Sequence, residues 1–246
     1  MKKQKTDLKS HLNTKDTNID PWLLHLIQIH DSAFPTGTFA HSFGMETYIQ
    51  EGKIRELDDL FNFCDSYLRY NLATTDGILV KEAYGLAREK DIDGLLKLEQ
   101  ICHGMKLSAE SRKGSSMLGR QFYRMVSPLK ESDLLDIWGK KISQNEISGH
   151  YPIVYGIYLA SMAVNLRTAL SMFLHSSLTT IVQNAVRAVP FGQSGGIEVS
   201  YRLIPIIQEI TSELMQKTLD DLNNNAIGLE ISSMNHEFLY SRLFIS

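Results

Sequence analysis

Apolar residues recur at three- and four-residue spacing along almost the whole chain, the signature of helices with one buried face. Leu57, Leu60, Phe61, Cys64, Tyr67 and Leu68 form one such stripe, and Ile78, Leu79, Ala83, Leu86 and Ala87 form the next. Asp91 is placed to cap a short helix carrying Ile92, Leu95, Leu96, Leu98 and Ile101. A longer helix is expected from about Met105 to Met125, stopping before Pro128, and another after Ser132 with Leu134, Leu135, Ile137 and Trp138 as its apolar groups. Asp20-Pro21 marks a helix start, an N-cap followed by proline at the first position. Residues 151–188 read as two consecutive buried helices. Pro190-Phe-Gly-Gln-Ser-Gly-Gly196 reads as a glycine-rich break. Beyond it a helix runs through Ile210 to Leu219, with Pro205 kinking it. Neither an alternating strand nor an Asn-Gly hairpin interrupts this series. The fold class is therefore all-α, a single globular helical bundle of roughly ten helices over residues 20–246, behind a mobile tail at 1–19.

Composition narrows the function classes. With 246 residues and 43% apolar content, the chain can bury a sizeable core. A net charge of -3 offers no basic stripe for nucleic acid. Cys64 and Cys102 fall within apolar helical patterns, so nothing points to an oxidising compartment. The basic start Met1-Lys-Lys-Gln-Lys-Thr-Asp7 has no apolar run behind it and is not a secretory signal. In the stretch 151–188 the only formal charges are Arg167 and Arg187, yet Ser171, His175, Ser176, Thr179, Gln183 and Asn184 lie between them. That polarity argues for core or interface, not membrane. The expected location is cytoplasmic.

Candidate chemistry concentrates in Asp31-Ser-Ala-Phe-Pro-Thr-Gly-Thr-Phe-Ala-His-Ser-Phe-Gly-Met-Glu-Thr-Tyr48. Pro35 and Gly37 shape an irregular turn. His41, Ser42 and Glu46 then bring polar groups into what reads as a new helix. A hydrolase built on these three is the weaker reading. His41 and Ser42 are adjacent, His41 and Glu46 are five apart, and no Gly-x-Ser-x-Gly elbow occurs. The Gly192–Gly196 segment lacks the Lys-Ser/Thr of a phosphate loop, so GTP or ATP binding by this chain is not expected. The histidines form no His-x-x-x-His pair and no Cys-x-x-Cys is present, so no strong metal site is expected either. What remains is a set of turn-rich, polar segments suited to presenting a surface.

Five segments, taken in order, resemble the UreF family of urease accessory proteins. The first runs from Asp31 to Glu46, with the family's Asp-Ser-x-Phe-Pro-x-Gly-x-Phe-x-His-Ser-x-Gly-x-Glu pattern. A serine-, glycine- and arginine-rich helix is matched at Ser111, Arg112, Gly119 and Arg120. Gly149-His-Tyr-Pro-Ile-Val-Tyr-Gly156 opens the buried pair. Arg187 precedes a Pro-x-Gly-Gln element at Pro190, Gly192 and Gln193. Last comes Met-x-His-Glu-x-x-Tyr-Ser-Arg-Leu-Phe from Met234 to Phe244.

The resemblance implies a non-enzymatic, homodimeric chaperone for nickel insertion into urease. Its partners would be UreD (also called UreH), the GTPase UreG and apo-urease. GTP would be bound by UreG, no cofactor would be held stably here, and nickel would at most be in transit. It also implies a partner-docking segment at 226–246, with Glu230, Met234, His236, Glu237, Tyr240, Ser241, Arg242 and Phe244 facing UreD. A shared surface or passage toward UreG would be shaped by the region of Pro35, Gly37, His41 and Glu46 together with Arg112, Arg120 and Gln193, and Ser42, Gly119 and Arg187 would be partner-binding as well.

Overall fold

The computed structural model describes residue 20 and residues 22–245; the expected tail at 1–19, and Pro21 of the first start signal, lie outside the described residues. Among the described residues the chain forms eleven α-helices and no strand. They are α1 (Leu23–His30), α2 (Met45–Gln50), α3 (Leu57–Tyr67), α4 (Asp76–Glu89), α5 (Ile92–Met105), α6 (Ala109–Val126), α7 (Asp133–Ser143), α8 (Tyr151–Ser161), α9 (Leu166–Ala188), α10 (Gly192–Leu214) and α11 (Ile227–His236). No helix among them is long and apolar enough to cross a membrane.

Side-chain caps set several of these starts. The Asp91 side chain accepts from the Gly94 N–H at 2.8 Å, and the Ser108 hydroxyl accepts from the Ser111 N–H at 3.0 Å. Ser132 likewise caps α7. Each bond satisfies one of the orphan donors of a first turn and contributes about 1 kcal/mol. The cap at Ser108 moves the start of α6 four residues beyond the expected Met105, which ends α5 instead.

The centre of the bundle is α8, whose residues from Pro152 to Ala160 are all buried. It packs against α4 on one side and α6 on another, while α9 packs against α10 and α10 reaches α3. Between α6, α8 and α9 the rings of Phe122, Tyr151, Tyr155, Tyr158 and Phe173 form one aromatic cluster, with centroids 5.2–5.9 Å apart. Such pairs add about 0.5–1.5 kcal/mol each beyond area burial. α1 is tied to this cluster through its histidines. His25 Nε2 lies 2.5 Å from the Tyr158 hydroxyl, and His30 Nε2 lies 2.9 Å from that of Tyr155.

Two expectations need correction. The glycine-rich segment is not a break: α10 begins at Gly192, and the interruption shrinks to residues 189–191. Gly195 and Gly196 are buried inside that helix, where an added Cβ would lie 2.7 Å from Leu57 Cδ2 and 2.8 Å from Val186 Cγ2. Close packing, not loop geometry, accounts for them. Second, α10 ends at Leu214, and Leu219 belongs to a separate 3-10 turn.

Candidate functional site

The Asp31–Tyr48 segment is less helical than its pattern suggests. A single 3-10 turn covers Thr38–Ala40 after Gly37, whose φ of 87° is in the left-handed region. His41 and Ser42 are extended or turn residues, and α2 starts only after Gly44, at φ 85°. Gly44 is needed twice over. Its backbone conformation favours glycine, and an added Cβ would sit 3.0 Å from the Leu229 carbonyl oxygen on α11.

That approach brings the two ends of the chain together. The Thr47 hydroxyl donates to the Ser232 carbonyl at 2.9 Å, and Gln50 Nε2 donates to the Ser241 carbonyl at 2.7 Å. Glu46 is buried and its carboxylate receives three donors. Oε2 lies 2.8 Å from His236 Nε2 and accepts from the Phe244 N–H at 3.1 Å; Oε1 accepts from the Leu243 N–H at 2.6 Å. The next amide, Ile245 N–H, donates to the Ala40 carbonyl at 2.8 Å. His236 is fully buried, and its other nitrogen, Nδ1, lies 2.9 Å from Glu110 Oε2. Arg242 Nη1 reaches Glu110 Oε1 at 3.4 Å. Glu46, His236, Glu110 and Arg242 thus form one hydrogen-bonded chain running from the interior to the surface.

The same frame continues on either side. Glu230 is buried and accepts from the Ser108 N–H at 3.1 Å and from Asn224 Nδ2 at 3.0 Å. Arg187 Nη1 donates to the Phe39 carbonyl at 2.9 Å, and its guanidinium lies 5.5 Å from the Phe244 ring centroid. Asn184 Nδ2 donates to the His41 carbonyl at 2.8 Å. Phe244 is buried against this framework. The tail from residue 237 onward is therefore clamped while much of it faces solvent: Phe238 is 82% exposed and Tyr240 106%, and Met234 and Leu243 are exposed beside them. Glu237, Ser241 and Arg242 are exposed as well.

The sequence-predicted residues therefore divide by position. Pro35, Gly37, Gln193, Met234, Glu237, Tyr240, Ser241 and Arg242 are exposed, whereas His41, Ser42, Glu46, Gly119, Glu230, His236 and Phe244 are buried. Arg112 Nη1 donates to the Lys106 and Leu107 carbonyls at 2.6 and 2.9 Å, closing the end of α5. Arg120 Nε donates to the Ser148 carbonyl at 2.9 Å. At Gly119 an added Cβ would lie 2.1 Å from the Gly149 carbonyl oxygen, so α6 meets the 148–150 loop there with no room for a side chain. Gln193 opens α10.

His41, Ser42 and Glu46 do not assemble as a nucleophile, base and orienting acid. Among the described residues the buried Ser42 hydroxyl has no hydrogen-bond partner, and the Glu46 carboxylate is occupied by the tail. Burial holds His41 below the ordinary histidine range. Among the described residues, no group of three or more His, Cys, Asp or Glu side chains could hold a metal ion.

Two features escaped the sequence reading. Glu110 looks like an ordinary acidic residue in the first turn of a helix, and nothing local marks it as the partner of His236. Lys106 pairs with Asp76 at 2.5 Å. Burial works against its charge, but Asp76, assisted by Cys102 and Glu230, raises its pKa.

A sequence model of the UreF family matches residues 54–204. The chain belongs to the UreF family. Its relatives match over more of the chain than that model does. The urease accessory protein UreF of Sporosarcina pasteurii is 58% identical over 202 residues, 82% of this chain and 100% of its own. The UreF proteins of Bacillus sp. (strain TB-90) and Lachnoclostridium phytofermentans are 34% and 33% identical over 91% and 93% of this chain, covering 99% and 100% of theirs.

Proposed function

We propose that this chain is a non-enzymatic chaperone of urease maturation, working in the cytoplasm as a homodimer that bridges UreD and the GTPase UreG in a complex delivering nickel to apo-urease. GTP is bound and hydrolysed by UreG, and nickel is cargo of the assembly. The chain contributes contacts that hold UreG in a state whose hydrolysis is coupled to nickel release.

The observation that carries this reading is the clamped but exposed tail. Aromatic side chains left in solvent on a firmly anchored backbone are what an interface requires, because the ordering entropy is already spent before the partner arrives. Phe238 and Tyr240 project from a segment whose backbone is fixed by Glu46 and whose helix is fixed by His236, and we assign them to UreD. Self-association is supported by Ile197 and Tyr201, which sit one turn apart on α10, 67% and 74% exposed. Arg112 and Arg120 are each anchored to backbone carbonyls of this chain, which favours positioning contacts over insertion of an arginine into the GTPase site.

The test is reconstitution. Apo-urease, UreD, UreG, nickel and GTP are combined with and without this chain, and urease activity and complex formation are followed. Activation that needs this chain, with no turnover by the chain alone, supports the proposal; equal activation without it removes it. Arg112→Ala and Arg120→Ala then report on UreG hydrolysis within the complex. Intact assembly with a UreG rate lowered a thousandfold or more in one of them would show an arginine donated to the GTPase.

A further inference from the structure

We propose that the groove between the Pro35 turn and α6 is a docking site for an acidic, apolar-anchored segment of a partner protein. This rests on the reading that the chain acts by holding other proteins, and it adds the chemistry of the segment held. The groove is open to solvent, with a volume of about 420 Å³. Its apolar surface is made by Met117, Leu118, Ala40 and Ile245, and Met117 and Ile245 are 44% and 54% exposed. Gln121 bridges the two walls, its Nε2 donating to the Pro35 carbonyl at 3.0 Å.

Charge decides what the groove accepts. Arg120 and Arg124 both line it, and no aspartate or glutamate does. Elsewhere on the surface, Arg69, Arg202 and Arg242 each reach a carboxylate of this chain. Among the described residues, neither Arg120 nor Arg124 has a carboxylate within ion-pair distance. Arg120 spends its Nε on the Ser148 carbonyl and stands near buried Glu99, whose carboxylate is bonded to the Gly149 and His150 amides. Arg120 and Arg124 stand four residues apart on α6, with Cβ atoms about 5–6 Å apart, so both side chains start from one face of the helix beside an apolar floor. Planar forks of this kind match the geometry of carboxylates and phosphates, and aspartate and glutamate are the groups by which a protein segment offers that geometry.

Residues 1–19 carry the wrong sign for such an occupant. Lys2, Lys3, Lys5, Lys9 and Lys15 outweigh Asp7 and Asp16 there, giving them the same sign as the groove. The groove is instead continuous with the C-terminal surface, because Ile245 is both its wall and the residue bonded to Ala40. UreD, seated on the exposed tail, can extend a segment bearing two carboxylates directly into it, which moves Pro35, Gly37, His41 and Arg120 from the expected UreG surface to the UreD one.

The experiment uses the complex of this chain with UreD and UreG. A photo-crosslinking benzoylphenylalanine replaces Gln121, and the crosslinked peptide is identified by mass spectrometry. Affinity is measured for Arg124→Glu, with Arg88→Glu, an exposed position on α4, as the control. The expected result is a crosslink to a UreD segment carrying aspartate or glutamate beside apolar residues. Affinity for that partner should fall at least tenfold in Arg124→Glu and less than twofold in Arg88→Glu. Unchanged affinity in Arg124→Glu overturns the inference while wild-type assembly leaves the proposed function standing. So does a crosslink to a basic segment or to a second copy of this chain. Failure of the wild-type chain to assemble at all removes both.

Discussion

Replacing Glu46 by glutamine tests the clamp directly, because it changes one atom type and almost no volume. The native carboxylate accepts from His236 Nε2, the Leu243 N–H and the Phe244 N–H. Glutamine keeps one oxygen and turns the other into an NH2 donor, so at least one of three donors loses its acceptor and meets hydrogen instead. Hydrogen bonds to a charged group contribute about 1.5–3 kcal/mol, and a buried donor left unmatched costs a further 1–3 kcal/mol. A loss of about 3 kcal/mol for opening the tail follows as an order of magnitude. The tail can open without unfolding the α4–α8 centre, so the cost should appear locally. Native-state hydrogen exchange then reads it: about 3 kcal/mol corresponds to roughly a hundredfold loss of protection at the amides of residues 243–245. Amides in α8, which lie in the buried centre, serve as the internal reference. If exchange at 243–245 stays within twofold of wild type in Glu46→Gln, the carboxylate does not hold the tail and the clamp reasoning fails.

Further outcomes follow from other contacts. Gly119→Ala should lower stability by about 1–3 kcal/mol or more, read by urea denaturation, because its Cβ would meet the Gly149 and Tyr151 backbone at 2.1 and 2.7 Å; a neutral effect would mean the 148–150 loop is free to move. Lys106→Met leaves Asp76 and Glu230 without their buried counter-charge and should cost about 3 kcal/mol, or roughly 6–10 °C in melting temperature, against no change if the pair is dispensable. Burial, with Lys106 and His103 adding to it, holds His150 down to about 3, and burial, opposed by its bond to Leu26, holds His30 down to about 4. Both lie below the unfolded value near 6.5, so the unfolded chain binds more protons in between. Their neutral forms stabilise the fold fully above that value, and the contribution falls away as pH drops toward 4 and 3. About 2 kcal/mol per histidine is lost between pH 6.5 and 5, as an order of magnitude. His150→Asn should therefore flatten the decline in urea midpoint between pH 7 and 5, and an unaltered slope would contradict the assignment.

Much of the bundle is legible in the chain. The stripes at 57–68 and 78–87, the caps at Asp91 and Ser132 and the unbroken apolar run of α8 are local signals, and local signals were enough for them. The glycine-rich start of α10 was not readable because glycine usually marks a break, and only the packing of Gly195 against Leu57 explains its place in a helix. The site was half readable. Glu46 and His236 stand out in their own segments, but their contact spans 190 residues and has no counterpart in spacing. Glu110 had no local signal at all. The direction of each side chain was likewise set by tertiary contacts: Glu46 and His236 turn inward as anchors, while Phe238 and Tyr240 turn outward.

That division selects the experiment on the central claim. Removing everything after Asn225 would take away α11 with its buried Glu230, Ser233 and His236, confounding folding with binding. Replacing Phe238 and Tyr240 together by aspartate leaves every buried anchor in place. The measurement is the affinity of this double variant for UreD, with its melting temperature taken alongside. At least a tenfold loss of affinity at an unchanged melting temperature is expected; wild-type affinity for UreD would show that these aromatic side chains do not dock it.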